Sequence, residues 1–224
     1  SDGMTLLKNQ NNTLPLKPDS DGKYKVNVFG YAGNDHGFVH QGAGSGGGTD
    51  VDIITIYEGL RQSGIEINED LAAAYNADLT YEREGWNDYK LPEADESWYT
   101  TERMQQAKQF SDTAIVVFGR KGGETGDLPR YQLQMNNKKD KSRLYQQITA
   151  LEEVMMKKVT ENFDKVIVLF NTTNVMEAGF IEDENVDAAI AMYAPGTKGT
   201  PALGKLLRGE ATFSGRTVDT WAYD

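Results

Sequence analysis

The 224-residue chain contains no cysteine. Disulfides, thiolate nucleophiles and cysteine-ligated zinc or iron–sulfur centres are thereby excluded, while oxidising and reducing compartments both stay open, so the sequence assigns no localisation. Histidine is almost as scarce. The two present, His36 and His40, sit in "HGFVH", and nothing at a sensible spacing supplies the further ligands of a metal site. No metal and no cofactor is expected. Basic residues are outnumbered, 23 Lys and Arg against 34 Asp and Glu, giving a net charge of −11. That is the wrong sign for general attraction to phosphate backbones or anionic lipid, so neither nucleic acid nor a membrane surface is expected as a partner. Long apolar runs are also missing: none approaches the roughly 20 residues needed to cross a bilayer. The opening "SDGMTLLKNQ" lacks a basic stretch followed by an apolar signal core. The segment is expected to be soluble and to carry no address.

What is present fits one α/β domain over residues 1–224, a length below the roughly 250 to 300 residues at which single cores stop growing. "KYKVNVFG" (Lys23 to Gly30) reads as a buried strand, followed by a glycine-rich stretch up to Gly48. "TDVDIITIYEGLRQSG" predicts a helix. Thr49 and Asp52 form a variant capping box, Val51, Ile54, Tyr57 and Leu60 recur at helical spacing, and Gly64 ends it. The charged middle, broken at Gly85 and Pro92, predicts two helices joined by a polar excursion. "TAIVVFG" (Thr113 to Gly119) is a second strand. Leu144, Ile148, Leu151, Met155 and Val159 then mark one face of a long helix. Strands at Lys165 to Asn171 and Val186 to Tyr193 follow, with a last helix after Pro195. Strands apolar throughout and separated by helices predict a mostly parallel sheet with helices on both faces, an α/β sandwich with flavodoxin-like layers.

Functional loops of such sheets leave the carboxyl ends of the strands. Two loops qualify and would share one crevice: "GAGSGGG" (Gly42 to Gly48) after the first strand, and "RKGGETGD" (Arg120 to Asp127) after the second. The glycine loop starts about a dozen residues beyond Gly30, too far for a dinucleotide fingerprint, and no lysine followed by Ser or Thr completes a phosphate loop. It reads either as a flexible connection or as backbone that approaches a small polar ligand, with Ser45 as the hydrogen-bonding group. Glu124 likewise has two readings. It is either a solvated loop carboxylate or a proton-transfer group whose partner carboxylate comes from elsewhere, Asp127 being too near in sequence to flank a substrate from the other side.

Taken together, these stretches resemble the C-terminal α/β-sandwich domain of the family 3 glycoside hydrolases, the β-glucosidase and β-xylosidase group. The resemblance runs over nearly the whole chain. It is carried by "GMTLLKNQNNTLPL", "GAGSGGG", "DTAIVVFGRKGGETGD", "KVIVLFNTTNVMEAGF", "VDAAIAMYAPGTKGTPALGKLLRGE" and "FSGRTVDT", in the family's order. It implies that Glu124 is the general acid/base of a retaining β-glycosidase acting on terminal β-D-glycosides. The nucleophile would be an aspartate in a (β/α)8-barrel domain of the same polypeptide, and the chain a domain excised from that larger enzyme. Gly44 and Ser45 of the GxGSG loop would bind the glycone, and Arg120 and Asp127, counted with the substrate-binding set, would hold the shape or charge balance of the Glu124 loop. The substrate would be a β-linked oligosaccharide or glycoside. Leu128 stands where the family has an arginine, and Phe213 where it has a proline, which leaves the ion pairing of the loop open. A non-catalytic carbohydrate-binding or scaffold domain of the same fold, and a flavodoxin-like nucleotide-binding module, are the competing readings.

Overall fold

The computed structural model describes residues 2–42, 52–84, 88–124, 128–136 and 138–224. The chain runs through β1 (Thr5–Asn9), β2 (Tyr24–Phe29), α1 (Ile56–Gln62), β3 (Ile65–Ile67), α2 (Glu69–Asp78), α3 (Thr101–Phe110) and β4 (Thr113–Arg120). It continues through β5 (Tyr131–Leu133), β6 (Lys139–Leu144), α4 (Ala150–Thr160), β7 (Lys165–Thr172), β8 (Ala188–Ala191) and α5 (Thr200–Leu207). Six strands form one sheet in the order β1-β8-β7-β4-β2-β3, and β5 and β6 pair as a separate antiparallel hairpin. Only β1 is antiparallel in the main sheet, so the mostly parallel α/β sandwich expected from the sequence is the fold observed.

Double-sided burial explains why the central strands read as unbroken apolar runs. In β4, Ile115 and Val117 point into a core shared with Ile56, Tyr57 and Leu60 of α1 and Leu203, Leu206 and Leu207 of α5. Ala114, Val116 and Phe118 alternate to the other face, against Met104 and Ala107 of α3 and Met155, Met156 and Val159 of α4. α1 and α5 cross closely, because a Cβ on Gly59 would stand 2.5 Å from the Thr200 side chain.

Several boundaries differ from the sequence expectation. α1 begins at Ile56, capped by the Thr55 hydroxyl, not at Thr49, which lies with Val51 outside the described residues. Ile54 donates its N–H to the Thr197 carbonyl and accepts from the Thr200 hydroxyl, so this stretch is tied to the lead-in of α5 instead of winding into helix. The helix expected from Leu144 begins at Ala150, where Thr149 and Glu152 close a capping box. Leu144 ends β6, and both it and Leu151 are 37% exposed. The inward face carries Glu152 with Met155, Met156 and Val159.

The connectivity fixes where a site belongs. From β2 the chain passes through α1 to β3 on one side, then returns to β4 on the other side of β2. This reversal opens a crevice at the carboxyl ends of β2 and β4, the position at which open α/β sheets bind ligands.

Candidate active site

The chain leaves β2 at Gly30, whose φ of 103° and whose Cβ position, 2.4 Å from the Val117 carbonyl oxygen, admit only glycine. Beyond it the backbone is stitched over the sheet edge by two buried asparagines. Asn34 Oδ1 accepts from the N–H of His36 (3.0 Å) and Gly37 (2.7 Å). Asn171, in β7, accepts from Val39 N–H at 2.7 Å and donates to the carbonyls of Val39 (2.7 Å) and Tyr193 (2.8 Å). The path ends at Gly42, whose Cβ position lies 3.1 Å from the Gly122 carbonyl oxygen. The stem of the glycine loop therefore rests against the Glu124 loop two residues before the carboxylate. Gly44, Ser45 and Asp127 themselves lie outside the described residues.

Arg120 closes β4 and is fully buried. Its two terminal nitrogens grip the Glu152 carboxylate at 2.8 Å each, and the same guanidinium donates to the carbonyls of Tyr145 (2.9 Å), Gly119 (2.9 Å) and Gln147 (2.7 Å). Burial opposes the charge, but the Glu152 carboxylate outweighs it and holds the guanidinium above its ordinary range. With all five N–H groups committed inside the protein, Arg120 has no donor left for a sugar. The substrate-binding role expected of it is corrected to support of the loop from below.

The next two residues are held by hydroxyls. Tyr145 Oη accepts from Lys121 N–H (3.2 Å) and donates to Lys121 C=O (3.0 Å). Thr173 Oγ1 accepts from Gly122 N–H (2.6 Å) and donates to Gly122 C=O (3.0 Å). Leu128 returns over this point, its Cδ2 standing 2.8 Å from where a Gly122 Cβ would be. An apolar contact thus closes the loop at the residue where the family carries arginine, while the Arg130 guanidinium sits 5.5 Å from the centre of the Tyr131 ring. Glu124 itself is exposed at the top.

Arg83 and His40 are electrostatic neighbours of Lys121 in this loop. Lys121 is half-buried, and burial followed by the charge of Arg83 lowers its pKa. Burial and then Lys121 lower that of His40. Arg83 lies over the ring of Tyr31, 5.9 Å from its centre, and donates to the Asp88 carbonyl at 3.3 Å. Nothing in the sequence marked a role for Arg83, Tyr145, Asn171 or Thr173. Glu152 alone carried a signal, the Thr-x-x-Glu box starting at Thr149. A groove of about 690 Å³ between residues 78–93, the β5–β6 hairpin and the start of α4 does not include Glu124 or Arg120. The catalytic candidate is on the open edge instead, where topology places it.

The profile of the glycosyl hydrolase family 3 C-terminal domain matches residues 4–224. A β-glucosidase of Ruminococcus albus is 33% identical over 231 aligned positions, covering all of this chain and 22% of that protein. The solved structure of a β-glucosidase from Paenibacillus barengoltzii superimposes with a TM-score of 0.81 at 32% identity, over 99% of this chain and 23% of that one. β-Glucosidase 3B from Thermotoga neapolitana, in complex with α-D-glucose, gives 0.77 at 25% identity, over 99% and 29%. The chain thus spans less than a third of the length of these relatives. Sheet order, the glutamate loop at the switch point and the end-to-end matches agree: the chain belongs to glycosyl hydrolase family 3, as its C-terminal domain.

Proposed function

We propose that this domain supplies Glu124 as the general acid/base of a retaining β-glucosidase-type enzyme, whose nucleophile is an aspartate on a (β/α)8-barrel domain of the same polypeptide. The observation that carries the reading is the placement of Glu124, exposed on a short braced loop at the carboxyl edge of β4, against the stem of the glycine loop. The β-glucosidase relatives support the same reading.

In the first step the barrel carboxylate attacks the anomeric carbon, and Glu124 gives its proton to the glycosidic oxygen as the aglycone leaves. In the second, Glu124 takes a proton from water, whose oxygen attacks the anomeric carbon and releases the enzyme carboxylate. Retention requires the two carboxyl groups about 5 to 5.5 Å apart, so the barrel docks against the edge that bears Glu124. Gly44 and Ser45 hydrogen-bond glycone hydroxyls from the adjoining loop, and Asp127 helps hold the loop's shape. The open edge is one wall of a site that the barrel completes, and the domain alone turns over no glycoside.

The test is Glu124→Ala in the complete enzyme, assayed on two aryl β-glucosides. Loss of a general acid costs about 10² to 10⁴ in rate where the leaving group needs a proton. The kcat/KM should fall by that order for the poor leaving group and far less for the good one, whose kcat falls with the slowed second step and is restored by azide. Equal turnover of both by variant and parent would show that Glu124 is a solvated carboxylate.

A further inference from the structure

β4 ends at Arg120, paired in register with Thr172 of β7, and the ladder adds one more bond from Thr173 N–H to the Arg120 carbonyl at 3.0 Å. Past that point two peptide groups lead toward Glu124, and among the described residues no strand pairs with them. Their backbone groups are nevertheless held. Tyr145 Oη holds the N–H and C=O of Lys121, and Thr173 Oγ1 holds the N–H and C=O of Gly122. Each hydroxyl acts as donor and acceptor at once, taking the place of a missing strand. We propose that Thr173 and Tyr145 are positioning residues for the acid/base carboxylate, a proposal that rests on the reading of Glu124 given above.

The physical need is specific. Gly122 and Gly123 are the least restricted residues the chain offers, and they lie immediately before Glu124. Left unbraced, they would let the carboxyl group wander. A general acid works only within hydrogen-bond reach of the atom it protonates, and a displacement of about 1 Å costs roughly 10²-fold. The hydroxyls fix the peptide groups of Lys121 and Gly122, the two residues that lead into Gly123 and Glu124. Thr173 directly follows the last residue of β7 and is tied to β4 through the Arg120 carbonyl, and Tyr145 is anchored beneath by the Arg120 hydrogen bond to its carbonyl. The brace therefore transmits the rigidity of the sheet to the loop.

The test uses the complete enzyme with Thr173→Val, which keeps the shape and removes the hydroxyl, Thr173→Ser, which restores it, and Tyr145→Phe. Each is assayed for kcat and KM on the two aryl β-glucosides, beside Glu124→Ala and with circular dichroism to measure the folded fraction. Thr173→Val should lose about 10- to 100-fold in kcat/KM on the poor leaving group, with kcat/KM on the good leaving group much less affected. Thr173→Ser should return most of the loss. Should Thr173→Val not fold, Tyr145→Phe is judged by the same leaving-group criterion. A variant that loses both substrates in proportion to its folded fraction, or keeps the parent's leaving-group dependence while Glu124→Ala steepens it, overturns the brace alone. Parent-like dependence in Glu124→Ala overturns the acid/base reading and the brace with it.

Discussion

Replacing Glu152 with glutamine changes one atom type in a heavily bonded buried contact beneath the Glu124 loop. Glu152 takes two 2.8 Å bonds from the fully buried Arg120 and also accepts from Thr149 N–H at 2.7 Å, closing the capping box of α4. Glutamine suits the cap, so α4 keeps its start. It fails the guanidinium, because one carboxylate oxygen becomes an amide that donates. Arg120 is then a buried cation held only by carbonyl dipoles, and breaking a buried pair from one side costs about 3 to 5 kcal/mol. Adding Arg120→Met removes the stranded charge and takes one donor each from the Tyr145, Gly119 and Gln147 carbonyls, of which Gln147 keeps the Gln132 amide. Replacing both members of a buried ion pair by uncharged side chains is often neutral or stabilising, whereas breaking the pair from one side is not. The double variant should therefore be more stable than Glu152→Gln, opposite to what summing two harmful substitutions gives. Urea unfolding of the chain followed by circular dichroism measures both differences. A Glu152→Gln cost below about 1 kcal/mol, or a double variant less stable than the single, would refute the view that the pair's desolvated charges dominate.

Two further outcomes follow from buried groups away from the loop. Glu93 is buried, accepts from the N–H of Tyr31 (2.9 Å) and Ala94 (2.8 Å), and has its pKa pushed up to about 7, chiefly by burial. Between the unfolded value and about 7 the native state holds a proton that the unfolded chain has released, so stability falls as pH rises through that window. The loss amounts to about 3 kcal/mol, and Glu93→Gln should flatten the stability profile between pH 4.5 and 8 whatever its baseline; an unchanged slope would assign the dependence to other groups. At the α1–α5 crossing, Gly59→Ala should destabilise by up to about 2 kcal/mol, because the roughly 1 to 3 kcal/mol of overpacking against Thr200 exceeds the roughly 1 kcal/mol of helix propensity gained. A raised melting temperature would mean that the crossing relaxes freely.

The sequence made β4 and β7 legible because both faces of each strand are buried, which turns them into continuous apolar runs. Edge elements were not legible for the converse reason. β1 is partly exposed, β3 spans three residues, and the β5–β6 hairpin is built from "YQL" and "KDKSRL", with no apolar alternation to mark it. Regular spacing misled at Leu144 and Leu151, which the capping box at Thr149 and Glu152 overrides. Glu124 stood out through its glycine setting and the family resemblance. The groups that brace its loop did not, since Tyr145 lies 24 residues from Lys121 and Thr173 lies 51 from Gly122, separations that only the folded sheet closes. For Arg120 the sequence left substrate binding beside loop support, because it cannot distinguish an arginine that points to solvent from one whose five donors are spent on Glu152 and three carbonyls.

The central claim, that Glu124 is the acid/base and not the nucleophile, is tested most directly by the anomeric configuration of the azide product. Glu124→Ala in the complete enzyme is given an activated aryl β-glucoside and sodium azide, and the glycosyl azide is identified by proton NMR. With the acid/base gone, the glycosyl-enzyme still forms and azide attacks it from the face that water would use, so the product should be the β-glycosyl azide with restored turnover. An α-glycosyl azide would make Glu124 the nucleophile, and unchanged hydrolysis with no azide product would remove it from the reaction.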